Sequence, residues 1–165
     1  MTIRNLTGDD QAEYSALLTQ AHTQHCDCFR SSPSDAQEPA QVGETTEHFT
    51  LGAFSDVGHL VGIVSFARDT REKMRHKGLL FRMYVARGVA GQGIGRRLVR
   101  EIVSRAQALP GLETITLTVV ASNTAARYLY ASEGFTAFSL EPRALKMGDT
   151  YSDEEQMRLE LPRVE

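Results

Sequence analysis

The sequence predicts an α+β fold in which one mixed sheet carries helices on its faces. Three observations predict it. Runs rich in β-branched and aromatic residues recur from one end of the chain to the other, other segments carry apolar residues at helical spacing, and the two classes do not alternate strictly. The order reads strand, helix, loop, three strands, helix, strand, helix, two strands, which is not the repeating unit of a doubly wound sheet.

Taken in order, "TIRNLT" is a short first strand, and "GDDQAEYSALLTQAHTQH" is a helix with Tyr14, Leu17, Leu18 and Ala21 on one face behind a Gly-Asp-Asp start. "RSSPSDAQEPAQVGETTE" is polar, holds two prolines and lacks a period, as expected for a loop or short helices around a binding mouth. "HFTLGAF" and "HLVGIVSFARD" are β-rich and separated by "SDVG", where Asp56 and Gly58 suit a turn, so they form an antiparallel hairpin. The charged "DTREKMRHKG" leads into the strand "LLFRMYVA". A glycine turn follows, then an amphipathic helix in which Leu98, Ile102, Arg105 and Ala106 recur until Pro110 and Gly111. "ETITLTVVA" is a strand and "NTAARYLYASEG" a short helix with Asn123 at its N-cap. "FTAFSLEPRALKMG" and "DEEQMRLEL" close the chain as two strands.

The 165 residues, 41% hydrophobic and 24% charged, suit a single domain over 1–165 with its own core. A net charge of −3 gives no general attraction to nucleic acid or anionic membrane, so an anion needs a local positive site. No apolar run is long enough to cross a bilayer and "MTIRNLTGDD" lacks the regions of a secretory signal, which predicts the cytoplasm. Cys26 and Cys28 are too close to staple a fold and read as reduced thiols. With His22 and His25 they raise a metal site, but all four crowd one helix end, and no metal is expected.

The glycine turn carries the chemistry. A strand that ends in glycines and opens a helix presents free backbone N–H groups to an anion, usually phosphate. The dinucleotide fingerprint fails, because after Gly91 and Gly93 its third glycine falls at Arg96. The P-loop fails too, because Ile94 follows Gly93 where a lysine is needed. Gly91, Gly93 and Gly95 keep side chains away so that successive amides converge on two phosphates, with the helix dipole adding positive potential. Arg96 and Arg97 either add charge at one rim or are merely solvated.

The run "MYVARGVAGQGIGRRLV" resembles the acetyl-coenzyme A loop of the GNAT-type N-acetyltransferases, and "ASNTAARYLYASEGF" resembles that family's later motif of Asn, Ala, Leu-Tyr and Gly-Phe. The resemblance covers nearly the whole chain. It implies the GNAT fold, a mostly antiparallel sheet of about six to seven strands splayed between the fourth and fifth, with helices on both faces. It also implies acetyl-CoA as cosubstrate and a small-molecule or peptide amine as acceptor, with a homodimer left open. Ala90 stands where the family has Gln or Arg. It keeps the backbone donor and loses the long side chain, for which Arg87 is the candidate replacement.

By the same resemblance, Met83 and Val85 bond the pantetheine arm as an added strand would, and Asn123 touches that arm, besides being suited to cap the helix. Tyr130 occupies the Leu-Tyr position as general acid for the departing thiolate, while Tyr128 lies about 200° around the same helix. The base is less defined. Alternation back from Val85 gives Met83, Phe81 and Leu79 on the site face, none of which takes a proton. Glu44, Glu47, His48, His76 and a water chain are the candidates, with Glu47 and His48 preferred because the family's acceptor site is bordered by that region. A second class of function is a catalytically weak acetyl-CoA-binding or sensing module, favoured by Ala90 and the missing base.

Overall fold

The computed structural model describes residues 1–32 and 45–162. Seven strands form one sheet in the order β1-β2-β3-β4-β5-β7-β6. Their ranges are β1 Thr2–Asn5, β2 His48–Phe54, β3 Leu60–Arg68, β4 Lys77–Val85, β5 Thr114–Val120, β6 Thr136–Met147 and β7 Thr150–Glu160. The helices are α1 Gln11–Gln24, α2 Ile94–Gln107 and α3 Thr124–Ser132. The element order and the mixed sheet are those expected from the sequence. Glu38 and Glu44, and most of the polar segment that holds them, lie outside the described residues.

The sheet is antiparallel except at β4 and β5, which run parallel. That parallel pairing is short, joining Lys77, Gly78 and Leu79 to Thr114, Ile115 and Thr116. From Leu80 onward β4 has no ladder to β5, so a gap opens in the middle of the sheet.

The two faces are covered differently, and residue spacing explains why. On one face Tyr14, Leu17, Leu18 and Ala21 of α1, the predicted stripe, pack with Leu6, Phe54, Leu60, Ile63 and Tyr84. On the other, Leu98, Val99 and Ile102 of α2, together with Tyr130 and Phe135, cover Leu51, Val64, Phe66 and Leu80. Each large apolar side chain buried in this way contributes about 1.5–3 kcal/mol. Arg105, whose spacing placed it with the apolar stripe, instead lies at its border, ion-paired with Glu101 and over the ring of Phe49.

β4 contains a bulge that corrects the alternation expected from sequence. Tyr84 pairs with Ile63 and Phe81 with Ser65, so Arg82 and Met83 together oppose Val64, and Arg82 adopts φ +52°. An extra residue reverses the parity of side chains across it. Leu80, Met83 and Val85 therefore share the α2 face, whereas Tyr84 belongs to the α1 face. A period of two cannot reveal such a bulge.

Candidate functional site

One cavity of about 1030 Å³ passes through the gap between β4 and β5. Its wall includes Gly91, Gly93, Arg96, Asn123 and Tyr130 from the α2 side, and His25, Phe29, Arg30, Tyr84 and Glu154 from the α1 side. The gap thus joins two mouths, one on each face of the sheet.

At the first mouth the chain leaves β4, makes a 3-10 turn over Arg87–Val89 and enters α2. Gly91 and Gly93 have φ +81° and +76°, conformations costly for residues with a Cβ. Gly95 is needed for a different reason: a Cβ there would stand 3.0 Å from Met83 and 3.2 Å from Leu129, so glycine lets α2 approach β4 and α3 closely. The first backbone bond of α2 runs from the Arg97 N–H to the Gly93 oxygen at 3.1 Å. Among the described residues, the amides of Gly91 through Arg96 donate no backbone hydrogen bond. Such a row of donors at a helix N-terminus is an anion cradle.

Ala90 is not part of that row. Its N–H is directed to the Arg87 oxygen at 3.2 Å, and the residue lines the cavity without supplying a free donor. Arg96 lines the wall, but its guanidinium is engaged with α3, bonding Ser132 Oγ at 3.0 Å and pairing with Glu133 at 3.1 Å. Its guanidinium thereby ties α2 to α3.

Beyond the bulge, the Ala86 N–H donates to the Val61 oxygen at 2.8 Å, which points Ala86 and Tyr84 toward β3. Backbone groups alternate along a strand, so those of Met83 and Val85 face the gap. Opposite them, Asn123 lines the cavity while its Oδ1 caps α3 by accepting the Ala126 N–H at 3.2 Å. Capping therefore occupies the side-chain oxygen and not the amide nitrogen.

Tyr130 is 5% exposed and Tyr128 is 73% exposed, as their separation around α3 requires. The Tyr130 ring packs edge-on against Phe135, with centroids 5.9 Å apart. Burial pushes its phenol well above the ordinary value. The group is consequently a neutral O–H donor throughout the physiological range.

Glu47 and His48 are not brought to this wall. Glu47 bonds Arg75 at 2.8 and 3.0 Å and Arg68 at 2.9 Å, and these guanidinium bonds, Arg75 foremost, hold its carboxyl below the ordinary value. A carboxylate so paired is a poor base. His48 lies at the start of β2 and His76 just before β4, neither lining the cavity.

The α1-side mouth brings Arg30 and Glu154, to which the sequence assigns no role, beside the cluster of His22, His25, Cys26 and Cys28. Arg30 Nε and Nη2 grip the carboxylate of Glu154 with three hydrogen bonds of 2.8–3.0 Å, and Glu154 is only 3% exposed. His22 Nε2 and Ser31 Oγ, 2.7 Å apart, fasten the same segment to α1. Cys26 and Cys28 are free thiols, and among the described residues no group of His, Cys, Asp and Glu is arranged to hold a metal. Desolvation, followed by the adjacent Asp27, raises the Cys28 thiol. The only signal of this wall in the sequence was a cluster of polar and aromatic residues just before the polar loop.

The family model for the acetyltransferase (GNAT) family matches residues 15–135. No curated protein matches the chain in sequence. Among solved structures, a GNAT-family acetyltransferase from Streptococcus pneumoniae is 25% identical, with TM-score 0.85 over 97% of this chain and 99% of that one. YncA from Salmonella typhimurium, solved with its cofactor acetyl-CoA, is 20% identical with TM-score 0.83 over 100% of this chain and 96% of that one. A phosphinothricin acetyltransferase from Sinorhizobium meliloti in complex with acetyl-CoA is 19% identical with TM-score 0.84 over 97% and 88%. Among the described residues, no helix is long and apolar enough to cross a membrane.

Proposed function

The chain belongs to the acetyltransferase (GNAT) family, and on that premise we propose that it is a cytoplasmic N-acetyltransferase moving an acetyl group from acetyl-CoA to a small-molecule or peptide amine. The observation that carries this reading is the row of unbonded amides from Gly91 to Arg96 beside the unpaired edge of β4. Pyrophosphate suits the first and the amides of a pantetheine arm suit the second.

Each residue then has a task. The amides of Gly91–Arg96 hold the pyrophosphate, and Met83 and Val85 bond the arm through their backbone. Ala90 contributes only its surface, and the free amide of Asn123 reaches the arm. The buried neutral hydroxyl of Tyr130 gives a proton to the departing sulfur, a positioned acid step worth about 10²–10⁴-fold in rate. Glu47 and His48 have no direct part in this scheme, because their side chains stand off the cavity wall. Whether the enzyme works as a monomer or a homodimer does not enter it, since every residue named comes from one chain.

Steady release of free thiol from acetyl-CoA, measured with tyramine, spermidine, an alanyl peptide and phosphinothricin, tests the reading. Amine-dependent release together with the acetylated amine in the mass spectrum is the expected result. Tight acetyl-CoA binding with no release across the panel would instead support a binding or sensing module.

A further inference from the structure

We propose that His25 is the base that takes the proton of the incoming amine, and that the amine enters by the α1-side mouth. This rests on the acetyltransferase reading and adds the residue that alternation along β4 failed to supply. Several groups on the α1-side wall can titrate. Glu154 has its carboxylate filled by three bonds from Arg30, and burial raises both the Cys28 thiol and the Tyr84 phenol. His25 is the one imidazole among the described lining residues, and no described residue hydrogen-bonds its ring. Its position follows from the fold. α1 ends at Gln24, His25 is the C-cap, and its ring lies 5.9 Å from that of Tyr84. Tyr84 stands between Met83 and Val85, whose backbone groups face the gap from the other side of the same strand.

The step balances as follows. The ammonium gives one proton to the His25 imidazole, which returns it to solvent through the mouth. The amine nitrogen bonds the acyl carbon, the carbon–sulfur bond breaks, and the sulfur takes the Tyr130 proton. The second amine proton restores Tyr130, leaving amide, thiol and one released proton. Cys26 and Asp27 follow His25 directly in the chain, and the titratable and charged groups that line the cavity with it are Cys28 and Arg30 on its own segment, Arg82 and Tyr84 on β4 and Glu154 on β7. Arg87 acts on Tyr84 from beyond β4.

The test uses His25→Gln and Glu154→Gln with the fastest amine of the panel, reading kcat/KM from pH 6 to 9 and acetyl-CoA affinity by calorimetry. His25→Gln should lower kcat/KM by about 10²–10⁴-fold near neutral pH. The deficit should shrink at high pH, where the amine is already neutral, and added imidazole should restore part of the rate. Acetyl-CoA affinity should not change. A rate within about twofold of wild type, or an equal loss at every pH with no rescue by imidazole, overturns the proposal, as does a loss confined to Glu154→Gln. No thiol release by wild type with any amine contradicts the acetyltransferase reading itself, and His25's role with it.

Discussion

Arg30 and Glu154, 124 residues apart in sequence, close one wall of the cavity through a forked guanidinium–carboxylate contact. Glu154 is almost wholly buried while the Arg30 side chain is 64% exposed, so the pair keeps a buried charge satisfied from the solvent side. Arg30→Ala removes the donors and leaves the carboxylate unpaired. Stability should fall by about 1–3 kcal/mol, read by thermal denaturation, and the KM for amine should rise while acetyl-CoA affinity holds. Unchanged stability and unchanged KM would show that the contact matters to neither.

Tyr130→Phe keeps the ring against Phe135 and removes only the proton donor. The account predicts a lower kcat with acetyl-CoA binding nearly intact, by up to about 10²–10⁴-fold where protonation of the thiolate limits turnover. Tyr128→Phe deletes a hydroxyl from a mostly exposed ring and should cost little. Equal rates in wild type and Tyr130→Phe across the pH range would remove Tyr130 from the mechanism.

Much of this arrangement was legible in the sequence. The stripe of α1, the hairpin, the strand–glycine–helix junction and the Asn123 cap all follow from local rules of spacing and turn chemistry, and local rules were enough to find them. What escaped depends on the third dimension. The bulge at Arg82 is a property of β4 paired against β3, so simple alternation cannot show that Phe81 and Leu79 leave the face shared by Met83 and Val85, although both still line the cavity. His25, Arg30 and Glu154 come together only because the segment after α1 folds over the gap. Spacing alone does not show that Arg68 and Arg75 hold the Glu47 carboxylate, nor that the Ala90 amide is directed to the Arg87 oxygen, because both contacts depend on how the chain folds back on itself.

Asp10 gives a prediction about acid. Arg4 holds its carboxylate with two bonds of 2.8 Å and the Thr7 N–H adds one at 2.7 Å. These contacts, the Arg4 bond first, hold the Asp10 carboxyl far below its ordinary value. The folded state therefore binds fewer protons than the unfolded state in acid. Its contribution is complete above the unfolded value of about 4 and is lost as pH falls below it. Asp10→Asn should reduce stability at pH 7 by about 1–3 kcal/mol and by a smaller amount at pH 2.5, partway through that loss. Denaturant midpoints at the two pH values check this, and an equal deficit at both contradicts it.

The central claim, that the amides of Gly91 to Arg96 hold the coenzyme's pyrophosphate, is tested most directly by calorimetric titration of acetyl-CoA into wild type and Gly93→Val. At φ +76° valine carries a local penalty of about 1–2 kcal/mol, so the variant should stay folded with a melting temperature a few degrees lower. The account predicts one equivalent of acetyl-CoA bound by wild type and no measurable binding by the folded variant. The same affinity in both proteins would contradict it.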